Sequence, residues 1–343
     1  MKRSLLLAEF AATPWAILPH SLTQIAAVLM RWNFGDPASQ EVMNTVHAAQ
    51  EMRTVRRDQA QAASGGGIAV LPLYGILTQR PVENVSGPGT LGISGFTQLF
   101  RQALTDPSIS QILIDIDSPG GSVFGVGELA AEIYAGRGVK PIIGIANSQA
   151  ASAAYWIGAQ CSELYCTPGG MVGSVGVYMA HEDVSKALEE KGVSVTLIQA
   201  GKFKTEGNPY GPLDDEARAY LQSQVDSYYT AFTQAVSRGR GPSVTIAQVR
   251  DSMGQGRCMV AADALAANMI DGVKTFDDVV ATMQKRIKAD SRIPRAEDLA
   301  PEIAAETPTI LDDIQDPVSP IAETLIPTLN AALARAREIE LLG

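Results

Sequence analysis

Between Ile68 and about Lys285 the chain alternates two kinds of hydrophobic pattern. Short unbroken apolar runs, Ile68–Leu73 (IAVLPL), Gln111–Ile116 (QILIDI) and Pro141–Ala146 (PIIGIA), have the length and composition of strands buried on both faces, and Val193–Gln199 (VSVTLIQ) joins them as a fourth. Amphipathic stretches separate or follow them: Phe96–Leu104, Val126–Ala135, Asp183–Glu190 and the long Asp214–Ser237. In the last, Leu221, Val225, Tyr228, Tyr229 and Phe232 form one stripe, a core face or a contact face. Strands alternating with helices predict an α/β domain with a largely parallel sheet covered on both sides.

The flanks read differently. Met1–Gln61 is helical in pattern, with an apolar stripe in Thr23–Trp32 and helical spacing in Ser39–Ala63, and Ser64-Gly65-Gly66-Gly67 is a joint. Between Ala296 and Asn330 stand eight acidic residues and no basic one, and six prolines fall between Pro294 and Pro327. Such a stretch is not expected to fold alone, although Leu325–Leu342 can form a short helix. The expected domains are a helical N-terminal extension and linker at 1–66, a catalytic domain at 67–285, and an acidic, Pro-rich tail at 286–343.

Composition narrows the function. A net charge of −10 argues against a nucleic-acid partner. Three cysteines (Cys161, Cys166, Cys258) make no disulfide framework, and three histidines leave little for a metal centre. The start, MKRSLLLAEFAA, has a basic residue pair and a short apolar run, but Glu9 interrupts it; a short amphipathic helix is the better reading than a secretory signal. No run reaches the roughly 18 apolar residues of a membrane span. These features predict a soluble protein of the cytoplasm.

Three segments fall after strands, where parallel sheets gather reactive groups. Asp117-Ser118-Pro119-Gly120-Gly121-Ser122 leaves backbone amides exposed and lets another chain approach closely; alone it is also an ordinary tight turn. Asn147–Trp156 (NSQAASAAYW) places Ser152 near a helix start, with the amide of Ala153 beside it; alone it is also a buried small-residue helix. Gly201–Pro209 (GKFKTEGNP) puts lysines at a strand end; a lysine there is a solvated charge unless burial or a nearby cation makes it a neutral base.

Taken in order, DSPGGS, SQAASAAYW, GSVGV (Gly173–Val177) and GKFKTEGNP resemble the S49 peptidases, serine proteases of the signal peptide peptidase A type with a Clp/crotonase-like fold. Gly256–Val273 resembles the family's closing motif, and Thr13–Leu22 (TPWAILPHSL) resembles its phage and prophage branch, the capsid assembly proteases. The resemblance covers about Ile68 to Val280. It implies a Ser/Lys dyad: Ser152 the nucleophile, Lys204 rather than Lys202 the base, Gly121 and Ala153 the oxyanion donors, and Ser174 in support of the lysine. It implies no cofactor or metal, a homo-oligomeric ring, and substrates among phage scaffold, portal or capsid proteins, processed in the host cytoplasm or inside the prohead. Ala153 and Ala154 stand where the family has glycines, and Asn268 where its closing motif has glycine. Three other readings remain: a noncatalytic scaffold on the same fold, a crotonase-like acyl-CoA enzyme, and a Clp-type triad using His181 with Asp183.

Overall fold

The computed structural model describes residues 13–23, 26, 67–80 and 92–290. The helical readings of Thr23–Trp32 and Ser39–Ala63 lie almost wholly outside these residues, and the acidic tail and terminal helix lie outside them entirely. The first half of the chain forms β1 (Trp15–Ile17), β2 (Ile68–Tyr74), α1 (Gly92–Thr105), β3 (Gln111–Ser118), β4 (Gly120–Ser122), α2 (Val126–Gly136), β5 (Ile142–Ala151) and α3 (Ala153–Gly158). There follow β6 (Glu163–Cys166), β7 (Met171–Gly173), α4 (Ser185–Glu190), α5 (Asp215–Arg240), α6 (Ile246–Ser252), β8 (Cys258–Val260), α7 (Ala261–Ala266), β9 (Gly272–Val273) and α8 (Phe276–Asp290).

The main sheet runs β2-β3-β5-β6-β9, every neighbouring pair parallel, with β7 added to the end of β5 and β8 antiparallel on β7. Strands β2, β3 and the first half of β5 are buried on both faces, which explains their unbroken apolar runs. Ile112, Ile114 and Ile116 of β3 pack with Phe96 and Phe100 of α1 and Ile133 of α2. Leu113 points the other way, into a second cluster with Val70, Ile143 and Ile145, closed by Val279, Val280 and Met283 of α8. This is the expected α/β architecture of a largely parallel sheet flanked by helices.

Two features place the later site. First, the pairing of β3 with β5 shifts between Ile116 and Ser118, so that β5 carries extra residues near Ser148, whose φ is 115°. The irregularity lets β5 continue onto β7 and delivers the following turn beside Gly173. Second, α3 is locked from several sides. Trp156 stacks on Phe232 of α5 at 4.7 Å between ring centroids, a contact worth about 0.5–1.5 kcal/mol beyond area burial. The Tyr155 hydroxyl donates to the Met269 carbonyl at 3.0 Å. Arg240, at the end of α5, reaches Asp271 with two hydrogen bonds of 2.8 and 2.9 Å, while Asp271 also accepts from the Leu164 amide.

Two expectations need correction. Val193–Gln199 is not a strand: it pairs with no sheet and is exposed throughout, Ile198 at 96%. No residue from Gly176 to Glu216 is fully buried, and the stretch 189–204 is exposed throughout. In the other direction, Trp15–Ile17 falls in a zone expected to be helical, yet it is a strand, antiparallel to β4. The stripe on α5 divides accordingly: Phe232 is fully buried, whereas Leu221 and Val225 near the start are only half-buried.

Candidate active site

Ser152 sits at the turn between β5 and α3 with φ 55° and ψ −117°, a conformation that costs a non-glycine residue about 1–3 kcal/mol. The surroundings enforce it. Its amide donates to Gly173 at 2.7 Å, its carbonyl accepts from Trp156 at 2.9 Å, and the residue is 1% exposed. Its hydroxyl donates to the Gly176 carbonyl at 3.3 Å. α3 is only six residues long, so its dipole is small; what the turn offers is the Ala153 amide, which as the first of the helix has no intrahelical acceptor.

The glycine loop lies directly against this turn. A methyl group on Gly120 would sit 2.2 Å from the Ala16 carbonyl oxygen and 3.0 Å from Ser152 Cβ; one on Gly121 would sit 1.8 Å from the Leu77 carbonyl oxygen. The expected close approach of another chain is therefore present twice over. The Gly121 amide points at β1. Leu18 N–H donates to Pro119 and Val123 N–H to Pro14, and by the alternation of an antiparallel ladder the Ala16–Gly121 pair between them exchanges both of its hydrogen bonds.

Neither Lys204 nor His181 is hydrogen-bonded to Ser152, whose hydroxyl is held by Gly176. Lys204 is exposed, while Lys202 pairs with Glu216 at 3.0 Å on the surface. Ser174 is buried near Ser152, with φ 53° and its amide on Arg257, but it does not meet Lys204. His181 Nε2 lies 3.0 Å from the Asn208 carbonyl oxygen. Asp183 instead accepts from the Ser185 amide at 2.9 Å, and hydrogen bonds from Ser185 hold its carboxyl below the usual carboxylate range. A Ser152–His181–Asp183 relay is thus not assembled. Cys161 and Cys166 are buried, and burial pushes their thiols up to about 12 and about 11, so they stay protonated. Among the described residues no cluster of His, Cys, Asp or Glu suits a metal ion, and no helix is long and apolar enough to cross a membrane.

The sequence reading missed Ala16, Gly176 and Tyr178, whose roles are played by backbone atoms. The only signal was the short apolar run TPWAIL ahead of Pro19.

Fold and site together define an α/β protein with a largely parallel sheet, a strained serine at the carboxyl end of a sheet strand and a glycine loop against it. Residues 135–290 match the profile of peptidase family S49. Over 223 residues it is 35% identical to "Capsid assembly protease C" of Escherichia phage lambda, covering 65% of this chain and 50% of the relative. Over 227 residues it is 31% identical to "Head-tail preconnector protein GP5" of Enterobacteria phage P21, covering 66% and 44%. The chain thus spans about half the length of these curated relatives. A solved structure of the 1510-N membrane-bound stomatin-specific protease aligns with a TM-score of 0.40 and 13% identity, over 62% of this chain and 82% of the other.

Proposed function

We propose that the protein is a serine endopeptidase that uses Ser152 and Lys204 to process proteins of phage head assembly. The observation that carries this reading is the strained, buried Ser152 in a chain that matches a peptidase family. Its Oγ attacks the scissile carbonyl while Lys204 takes the proton. The oxyanion is met by the Ala153 amide and, once it is free, that of Gly121; each such donor is worth about 10²–10³ in rate. The leaving amine receives the proton from Lys204, and water then hydrolyses the acyl-enzyme on Ser152 by the same exchange in reverse. The choice of head-assembly substrates follows the two phage relatives. The site of action is accordingly the host cytoplasm or the prohead interior.

The Lys204 segment has to reach Ser152. From Glu189 to Lys204 every residue is exposed, and the Val193–Ile198 ribbon, outside every sheet, offers an edge to another chain. This supports a homo-oligomer, as expected of the family. The catalytic unit is residues 67–285.

The deciding experiment is digestion of a peptide library by the purified protein and by Lys204→Ala, read by mass spectrometry. Cleavage that disappears in the variant is the expected result. Cleavage that survives at the wild-type rate removes the dyad, and no cleavage by either protein favours the noncatalytic scaffold.

A further inference from the structure

β1 has strand partners on both of its edges. On one side Ala16 exchanges hydrogen bonds with Gly121. On the other, Trp15 N–H donates to the Tyr178 carbonyl at 2.9 Å, and Tyr178 N–H donates to the Trp15 carbonyl at 3.0 Å. The strand is therefore threaded between the glycine loop and the chain that continues from Gly176, the residue holding the Ser152 hydroxyl. Trp15, Ala16 and Ile17 are 4%, 0% and 1% exposed. The Ala16 carbonyl oxygen and Ser152 Cβ crowd the same point above Gly120. An extended peptide with a carbonyl on the Gly121 amide, next to a nucleophilic serine, has the placement of a substrate about to be attacked.

We propose that residues 13–18 are an internal substrate mimic that closes the peptide groove, so that a substrate must displace β1 and pair with Gly120–Ser122 in its place. The inference rests on the peptidase reading above. It explains why the Gly121 amide is already engaged in the resting chain. Ala16 marks the acyl side of the bond to be cut, which selects a small residue there because no space remains around it. Ile17 also walls a cleft of about 560 Å³ that Ser174, Val177, Tyr229 and Arg250 line, so release of β1 opens the groove into that cleft.

The test uses the full chain. Trp15→Cys with Tyr178→Cys puts a disulfide across a hydrogen-bonded antiparallel pair, whose Cα atoms lie about 5.5 Å apart, within disulfide reach. A second full-length variant, Ala16→Glu, forces a carboxylate into a buried site and expels the strand. Two readouts are taken: cleavage of the peptide library, and anisotropy of a fluorescein-labelled Thr13–Leu22 peptide in the Ser152→Ala background. The oxidised lock is expected to cleave and to bind on the order of tenfold or more weakly than its reduced form, because apparent affinity scales with the open fraction. Ala16→Glu is expected to exceed wild type in both. Equal rates and equal binding in the oxidised and reduced forms would overturn the proposal and leave the peptidase reading standing, as would a peptide that binds no form. Binding that follows the expected order without any cleavage would sink the peptidase reading, and the substrate mimic with it, and leave β1 as the plug of a groove that only binds peptides. Should Ala16→Glu fail to fold, the lock alone decides.

Discussion

The Ser152 hydroxyl donates to the Gly176 carbonyl, 24 positions away in the chain, at 3.3 Å. A peptide carbonyl can hold that hydrogen but cannot take the proton, so the resting serine is aligned without being activated. Activation requires a base that the described chain does not bring to it.

That requirement gives the first prediction. Ser152→Ala and Lys204→Ala should each lose about 10⁴-fold or more in cleavage rate. Mixed at equal concentration, the two inactive proteins should recover measurable activity, since an exposed Lys204 segment can serve a neighbouring chain. A mixture that stays at the level of its components would show that the segment folds back onto its own serine.

Strain at Ser152 gives the second. Ser152→Gly removes the steric cost of φ 55°. Set against the entropy that glycine loses on folding, about 0.5–1 kcal/mol, the net gain should be about 1 kcal/mol. The variant should therefore melt at a higher temperature than wild type while cleaving nothing; a lower melting temperature would mean that the turn stores no strain.

The third concerns space. Gly121→Ala drives a methyl to 1.8 Å from the Leu77 backbone oxygen, which cannot move aside as a side-chain end would. It should cost more than about 3 kcal/mol. Gly169→Ala, with no atom within 4 Å of the added carbon, should stay within about 0.5 kcal/mol. Urea melts of the two variants check the contrast.

The fourth is a pH dependence. Glu163 meets Arg286 through hydrogen bonds of 2.7 and 3.1 Å, tying α8 to β6. Burial alone would raise the Glu163 carboxyl, but hydrogen bonds from Arg286 and Tyr165 and the Arg286 charge outweigh it and hold the group below its ordinary value. A carboxyl lowered in the folded state stabilises the fold above its unfolded pKa, and that contribution is lost as pH falls through the folded value. Arg286→Ala should cost about 0.5–1 kcal/mol at neutral pH. The gap to wild type should close on acidification below the usual carboxylate range. Denaturant titrations at several pH values would show it; a gap that is constant with pH would remove Glu163 as its source.

Much of the fold was legible because buried parallel strands and amphipathic helices repeat over enough residues to declare their period. Val126–Ala135 was expected and Val126–Gly136 is found; Asp214 was placed at the start of a helix and caps α5 by accepting from Ala217. Asn268, which stands where the closing motif has glycine, has φ 58° just after α7, a left-handed conformation that asparagine tolerates. Val193–Gln199 misled because alternation reports which side chains share a face and says nothing about which chain pairs with the strand. β1 is three residues long, too short for any period to register. The candidate site was legible only in its residue types. Where Lys204 lies, and that the Gly121 amide faces Ala16, depend on backbone geometry far along the chain.

The pairing of β1 also orders events during synthesis. Trp15 leaves the ribosome early, but neither the glycine loop nor Tyr178, its partners on the two edges, exists until long afterwards. β1 must therefore wait, without these two partners, while the sheet and the Ser152 turn are made, and it can dock between them only once both edges have formed. Completion of the domain and docking of β1 are then one event.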